Sequence, residues 1–255
     1  MLNDLQKAFW RFRGAYPGSL NGVPFRFDPL HTKFWRKCSR NGWEPETFDV
    51  LDGHLSPDHD YLDIGAWIGP TVLYAAKKAR KVWAFEPDRE AFRALDWNLS
   101  LNGLDNVGAF AAAVAGETGV ARMASFRGEP GDSMTSLLNP DGAHGMDVLT
   151  LDWAVFEDAV DLSKVSLVKL DVEGAEFDLI PRLLPWLKKQ RPALYLSTHG
   201  PYLPEAERAD ALAQLADALS FYPSIRDVKT GTTGRDALTG DRALQKFPSF
   251  LLTAG

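Results

Sequence analysis

The sequence predicts an α/β fold: a doubly wound, mostly parallel sheet of seven strands, preceded by an extension of helices and a strand. From residue 61 onward, short apolar runs alternate with helical patterns over short connections, which is typical of parallel strands joined by helices. The 255 residues, 45% of them hydrophobic, suffice to bury one sizeable core. We therefore expect residues 1–58 to pack as an extension on one domain formed by residues 59–255.

Composition limits the partners of this chain. The net charge is −6, with no basic stripe to follow a phosphate backbone, so a nucleic-acid partner is not expected. Cys38 is the only cysteine, which is consistent with a reducing compartment. The sequence holds no run of about 18 apolar residues and no apolar leader segment, so we expect a cytoplasmic protein without a membrane span. Nothing in the pattern indicates an oligomeric state.

The extension is predicted to hold two helices and a strand. Apolar residues three or four apart predict an amphipathic opening helix: Leu2, Leu5, Phe9 and Phe12. Alternation over residues 23–28 predicts a strand, and Pro45 lies in the first turn of a second helix. The basic and aromatic stretch 34–42 is expected to face solvent, with contact to an anionic acceptor as the alternative.

The first core strand leads into a glycine turn and a helix, with the sequence Tyr61-Leu62-Asp63-Ile64-Gly65-Ala66-Trp67-Ile68-Gly69-Pro70-Thr71. Gly65 is expected to turn the backbone where a side chain would collide with a ligand, and Gly69 to let the next helix pack closely. The second strand, residues 81–85, ends at Glu86, 23 residues after Asp63. An acidic side chain at this strand end can accept hydrogen bonds from both ribose hydroxyls of a nucleoside.

The turn distinguishes between two nucleoside cofactors. A dinucleotide turn, Gly-x-Gly-x-x-Gly, would need glycine at the positions that hold Trp67 and Pro70. The order Asp-x-Gly-x-x-x-Gly instead places Asp63 near the turn, where its carboxylate can help to hold an ammonium group directly or through water. S-adenosylmethionine, which carries an amino acid tail, suits this pattern.

The rest of the chain continues the alternation. We predict helices over 89–102 and 205–219, and strands over 107–114, 165–170, 193–197, 225–228 and 247–252, one of the last two antiparallel. Ala113 in the third strand offers the low volume that a flat adenine edge needs. Residues 115–147 are expected to form an irregular insertion beside the site, and residues 230–245 a mobile loop.

Acidic residues crowd the carboxyl end of the strand over 165–170. Asp171, Glu173 and Glu176 lie within six residues, which is costly unless cations, protons or donors compensate them. His199 follows the strand over 193–197 and is expected beside them, either as a neutral general base for an acceptor hydroxyl or as a structural histidine. A carboxylate of Asp171 or Glu173 could take that proton instead. A divalent cation on these carboxylates is a further alternative, which the sequence does not itself indicate.

These motifs resemble those of the FkbM-type methyltransferases over about residues 60–200. The resemblance rests on the glycine turn, Phe85-Glu86-Pro87, Asn98, Asn102, Thr150-Leu151-Asp152 and, most specifically, Lys169-Leu170-Asp171-Val172-Glu173-Gly174-Ala175-Glu176. It implies a class I methyltransferase (Rossmann-like) fold, S-adenosylmethionine as methyl donor, and O-methylation of a hydroxyl on a sugar, glycan or natural product. Two positions depart from the family pattern: Trp67 replaces a common asparagine, and Ser197 stands where an acid often precedes the histidine by two residues.

The sequence therefore predicts an S-adenosylmethionine-dependent O-methyltransferase with a small-molecule or glycan acceptor. The residues expected to contact the cofactor are Asp63, Gly65, Ala66, Trp67, Gly69, Thr71, Glu86, Pro87 and Ala113, and those expected to serve catalysis are His199, Asp171 and Glu173. Two alternatives stay open. An NAD(P)-dependent oxidoreductase would prefer NADH to S-adenosylhomocysteine. A catalytically inactive cofactor-binding module for protein interaction would bind S-adenosylhomocysteine and methylate nothing.

Overall fold

The computed structural model describes residues 2–126, 131–142 and 144–254. Its helices are α1 (Leu2–Arg13), α2 (Thr32–Cys38), α3 (Pro45–His54), α4 (Pro70–Ala76), α5 (Arg89–Asn102), α6 (Trp153–Ala159), α7 (Glu176–Gln190), α8 (Arg208–Ala218), α9 (Arg235–Thr239) and α10 (Asp241–Gln245). Its strands are β1 (Tyr16–Leu20), β2 (Val23–Phe27), β3 (Asp60–Ile64), β4 (Lys81–Phe85), β5 (Val107–Phe110), β6 (Ala113–Ala115), β7 (Gly119–Ser125), β8 (Thr135–Ser136), β9 (Met146–Asp152), β10 (Val165–Leu170), β11 (Ala193–Ser197), β12 (Ser224–Asp227) and β13 (Ser249–Thr253). The opening helix forms as expected, but the side chains of Leu2 and Leu5 lie outside the described part. No helix among the described residues combines the length and apolar character needed to cross a membrane.

Seven strands form the central sheet in the order β12-β13-β11-β10-β3-β4-β5. The four pairings from β5 to β11 are parallel, whereas β13 runs antiparallel to both β11 and β12. The predicted strand number is confirmed, and the sheet is mixed in direction because of this one strand. The order reverses at β3 and β10, so a crevice opens there at the carboxyl ends of the parallel strands.

Helices cover both faces of the central sheet, because successive side chains of a buried strand point to opposite faces. On β3, Leu62 and Ile64 pack into one apolar cluster with residues of α6, α7 and α8. Tyr61 packs into the other cluster, with residues of α2 to α5 and of the β1-β2 hairpin. The extension thus shares an apolar core with one face of the sheet.

Two asparagines of α5 tie the extension to the core. The side-chain oxygen of the fully buried Asn98 accepts the backbone N–H of Asp28 at 2.6 Å, and its nitrogen donates to the carbonyl of Ile68 at 3.0 Å. Asn102 accepts from the backbone N–H of Arg26 at 2.9 Å and donates to the carbonyl of Arg26 at 2.7 Å. Both asparagines therefore anchor β2 on α5, a long-range role that the sequence pattern does not reveal.

Three predicted segments need correction. The segment 115–147, expected to be irregular, contributes to a second sheet, ordered β6-β9-β7-β8, in which the seven-residue strands β7 and β9 pair with each other. The strand predicted over 107–114 divides into β5 and β6, which belong to different sheets. The loop predicted over 230–245 contains α9 and α10, each of five residues, which is too short to display a helical period.

Candidate active site

A cavity of about 420 Å³ opens at the carboxyl ends of β3, β4 and β10. This volume falls within the range of about 300–1,000 Å³ that is usual for small-molecule sites. Nine of the predicted site residues line the cavity: Gly65, Ala66, Trp67, Thr71, Glu86, Pro87, Ala113, Asp171 and Glu173. The other predicted site residues, all within the described part of the chain, lie behind its wall: Asp63, Gly69 and His199.

The glycine turn is shaped by protein contacts. Gly65 has a φ of +91°, and a Cβ there would lie 1.8 Å from the carbonyl oxygen of Asp171. Gly69 has a φ of +93°, and a Cβ there would lie 2.5 Å from Leu95 of α5. The expected reason for Gly65, a collision with a ligand, is therefore replaced by the close approach of the loop that follows β10. The turn and the acidic loop are held together at the cavity floor.

Glu86 at the end of β4 is held by two backbone donors. The N–H of Trp67 donates to Oε2 at 2.7 Å, and the N–H of Asp88 donates to Oε1 at 2.7 Å. A carboxylate has about four lone-pair sites, so two stay available to donors in the cavity. Burial raises the pKa of Glu86 to about 8, although both backbone donors favour its ionised form.

Trp67 adopts a left-handed conformation, with φ of +48°, that asparagine tolerates better than most residues. This conformation directs its backbone N–H to Glu86. Its indole N–H donates to the carbonyl of Gly131 at 3.0 Å, and its ring packs edge-on against Phe34 at 4.6 Å. The side chain therefore joins the extension to the loop that leads to β8, across one wall of the cavity.

Asp63 lies beneath the cavity and does not reach it. Its fully buried carboxylate accepts hydrogen bonds from the hydroxyls of Tyr61 at 3.0 Å and Thr71 at 2.5 Å, and from Nζ of Lys169 at 3.2 Å. These partners use three of about four lone-pair sites, and Asp63 does not line the cavity, so its expected contact with a cofactor ammonium, directly or through water, stays a prediction. Asp63 supports the turn from below by holding Thr71 and Lys169.

The loops after β10 and β11 bring three acids around His199, which is 4% exposed. Its Nε2 lies 3.5 Å from Oδ1 of Asp171 and 3.4 Å from Oε2 of Glu173, and its Nδ1 lies 3.3 Å from Oε1 of Glu176. Burial lowers the pKa of His199, but the three carboxylates outweigh it and raise the pKa to about 9. A pKa of about 9 favours the cationic imidazole near pH 7, and the role of His199 as a general base or as a structural histidine stays a prediction.

Ser197 departs from the family pattern without adding charge to this cluster. Its hydroxyl lies 3.0 Å from the hydroxyl of Ser249 on β13, in a buried position. An acid at this position would meet that strand rather than water. The acidic partners of His199 accordingly come from the loop after β10 and from α7.

The extension contributes a wall of the cavity that the sequence analysis missed. Phe34, Lys37, Trp43 and Glu44 line it beside Asp171. Burial and the charge of Asp171 raise the pKa of the Glu44 carboxyl to about 7. The basic and aromatic character of residues 34–42 was the sequence signal for this wall. The stretch was expected to face solvent, but its residues Phe34 and Lys37 line the cavity. Glu44 gave no such signal.

Fold and site together define a class I methyltransferase-like protein: a reversed-order parallel sheet with an antiparallel seventh strand, a glycine turn after β3 and an acid at the end of β4. A family model described as the methyltransferase FkbM domain matches residues 63–220. The match spans more than half of the chain, so this protein belongs to the FkbM methyltransferase domain family. No curated protein matches the chain.

Several solved structures resemble this chain in fold. Methyltransferase FkbM from Methylobacillus flagellatus KT is 17% identical, with 77% of this chain and 44% of that chain covered and a TM-score of 0.48. TYW2 of M. jannaschii, solved in complex with AdoMet, is 14% identical, with 94% and 85% covered and a TM-score of 0.46. An rRNA methylase from Streptococcus thermophilus is 10% identical, with 81% and 92% covered and a TM-score of 0.46. The chain thus spans less than half the length of the first of these proteins.

Proposed function

We propose that this protein transfers a methyl group from S-adenosylmethionine to a hydroxyl of a sugar, glycan or natural product. The observation that carries the proposal is Glu86, a cavity-lining carboxylate whose two backbone donors leave about two lone-pair sites unused, the number that a ribose diol requires. Membership of the FkbM domain family supports the methyl-transfer chemistry. The hydroxyl acceptor rests on the family resemblance alone.

The cavity walls suggest how the donor lies in the site. Glu86 and Ala113 would hold the adenosine, with Ala66 and Pro87 as its neighbours, because all four line the β4 side. The methionine end would lie over Gly65, between the carboxylates of Asp171 and Glu44. An ammonium group there would offset the burial and the repulsion from Asp171 that together raise the pKa of Glu44. Glu44 thus replaces Asp63 in the proposed contact.

Bound S-adenosylmethionine supplies an electrophilic methyl group, so the chain has to align an acceptor oxygen and accept its proton. Asp171 and Glu173 line the cavity and stand 3.5 and 3.4 Å from His199. We assign proton acceptance to this group, with the carboxylates favoured over the cationic imidazole. Burial raises the pKa of Glu173 to about 7, near the value that suits a general base at neutral pH.

Calorimetric titration with S-adenosylhomocysteine and, separately, with NADH tests the cofactor. Binding of S-adenosylhomocysteine alone supports the proposal, whereas binding of NADH alone replaces it with the oxidoreductase alternative. Incubation with labelled S-adenosylmethionine and a panel of sugars, glycans and hydroxylated natural products then tests the reaction. Tight S-adenosylhomocysteine binding with no labelled product across the panel would favour the inactive binding module.

A further inference from the structure

We propose that Asp171, Glu173 and His199 form a binding site for one divalent cation. One oxygen of each carboxylate and one ring nitrogen of His199 all lie within 4.8 Å of one another. The two carboxylates line the cavity and the imidazole lies behind them. The location of this site beside the reacting groups rests on the proposed function, but the existence of the site does not.

The spacing of the ligand atoms suits a shared ion better than direct hydrogen bonds. Nε2 of His199 lies 3.5 Å from Asp171 and 3.4 Å from Glu173, beyond the usual 2.7–3.2 Å of about-linear N–H···O bonds. Ligands about 2.1 Å from one ion are about 3.0–3.4 Å apart in octahedral or tetrahedral geometry. Both distances to Nε2 of His199 are close to this spacing, and the two carboxylate oxygens, which lie within 4.8 Å of each other, would have to take the same spacing on one cation.

His199 is oriented as a metal-binding histidine. Its backbone N–H donates to Oε1 of the buried Glu176 at 2.5 Å, and its Nδ1 lies 3.4 Å from Oε2 of the same carboxylate. Its ring also stacks on Tyr202, with 7° between the two planes. A carboxylate behind one ring nitrogen fixes the tautomer and directs the other nitrogen towards an ion. Here that other nitrogen is Nε2, which faces Asp171 and Glu173.

Charge favours a cation at this position. Three carboxylates surround His199, and the ammonium of Lys169, 3.6 Å from Asp171, is already paired with Asp63. Two carboxylate oxygens and one imidazole nitrogen suit Mn²⁺, which accepts both ligand types. Three protein ligands leave coordination positions towards the cavity, where an acceptor hydroxyl could bind and pass its proton to the carboxylate oxygen of Asp171 or Glu173 that does not hold the cation.

Electron paramagnetic resonance tests the site. The full-length protein is first treated with a chelator, and Mn²⁺ is then added. We expect one bound Mn²⁺ per chain, with nitrogen hyperfine coupling that disappears in His199→Gln. Glu173→Gln should weaken binding by at least about tenfold. The matched control is Asp178→Asn. Asp178 lies on α7, and its side chain is 76% exposed. The affinity of this variant for Mn²⁺ should equal that of the natural protein.

Three results would overturn the inference: no binding by the natural protein at about 1 mM Mn²⁺, binding that Glu173→Gln leaves unchanged, or bound Mn²⁺ without nitrogen coupling. If the variants do not fold, the nitrogen coupling of the natural protein decides by itself. Titration of the same samples with S-adenosylhomocysteine separates the two proposals. If the natural protein binds S-adenosylhomocysteine but not Mn²⁺, only the cation site is refuted. If the natural protein does not bind S-adenosylhomocysteine, the proposed function is refuted.

Discussion

Replacing Glu86 with glutamine tests the assignment of the ribose site most directly. The substitution keeps the shape of the side chain but exchanges one carboxylate oxygen for an NH₂ group. Each oxygen now accepts a backbone N–H at 2.7 Å, from Trp67 or from Asp88. In the variant the new NH₂ group faces one of these two backbone N–H groups, so that donor loses its acceptor. One ribose hydroxyl also loses its acceptor. The charge that strengthens both remaining contacts is also lost.

The expected loss of affinity follows from these contacts. A hydrogen bond to a charged group contributes about 1.5–3 kcal/mol, so Glu86→Gln should weaken S-adenosylhomocysteine binding by about 10- to 150-fold. The titration is best made near pH 8.5, because the pKa of Glu86 in the unliganded protein is raised to about 8 by burial. At that pH the natural side chain is mostly ionised, and the variant reproduces only its neutral form.

The matched control is Glu90→Gln, which removes an acid from the first turn of α5 that does not line the cavity. The affinity of this variant for S-adenosylhomocysteine should stay within about twofold of the affinity of the natural protein. Thermal unfolding of each unliganded variant shows that the fold is retained. Equal affinities in the natural protein and in a folded Glu86→Gln variant would refute the ribose assignment, and with it the observation on which the proposed function depends.

Three further predictions concern pH and the architecture. Affinity for S-adenosylhomocysteine should rise from pH 6 to 8, because the hydroxyl donors bind the ionised Glu86, whose pKa is about 8, and the ammonium group binds the ionised Glu44, whose pKa is about 7. In a calorimetric series, Glu86→Gln should flatten the rise between pH 7 and 8, where Glu86 accounts for up to about tenfold per pH unit. Gly65→Ala should lower the free energy of unfolding by more than about 2 kcal/mol, because its Cβ would overlap a carbonyl oxygen. Gly231, with φ of +76° and no neighbour within 4 Å, is the control, and Gly231→Ala should lower that free energy by about 1 kcal/mol. Urea unfolding of both variants measures the difference, and equal losses would contradict the role of the overlap. Asn98→Ala should cost about 1–3 kcal/mol by leaving the backbone N–H of Asp28 unpaired, and faster proteolysis of the extension should accompany that loss.

Local sequence patterns determined the elements that depend on neighbouring residues. The predicted bounds of β4 and β11 match the structure, and β10 begins at the predicted Val165, because each is an apolar run followed by polar residues or a turn. Helix α5 also has its predicted bounds, with Gly103 in the left-handed conformation after its last residue. By contrast, α8 begins at Arg208 rather than at residue 205, and α9 and α10 are too short to have a recognisable period.

The candidate site divides in the same way. The glycine turn and Glu86 could be placed from the sequence, because the carboxyl ends of adjacent parallel strands must meet at one edge of the sheet. The sequence could also place Asp171 and Glu173 near His199, since β10 and β11 are neighbours in the predicted order. It could not show that Asp63 is occupied by buried partners, because those contacts come from side chains packed beneath the turn.

The sequence by itself therefore determined the class of fold, the edge of the sheet at which the candidate site lies, and the family. Only the tertiary structure decided which carboxylates reach the cavity, why Gly65 must be glycine, and that Glu44 and Lys37 of the extension form part of the wall. It also decided that Glu176 orients His199 towards Asp171 and Glu173. The physical reason is that strand and helix formation depends on residues close in sequence, whereas charge, burial and coordination depend on atoms brought together from distant segments.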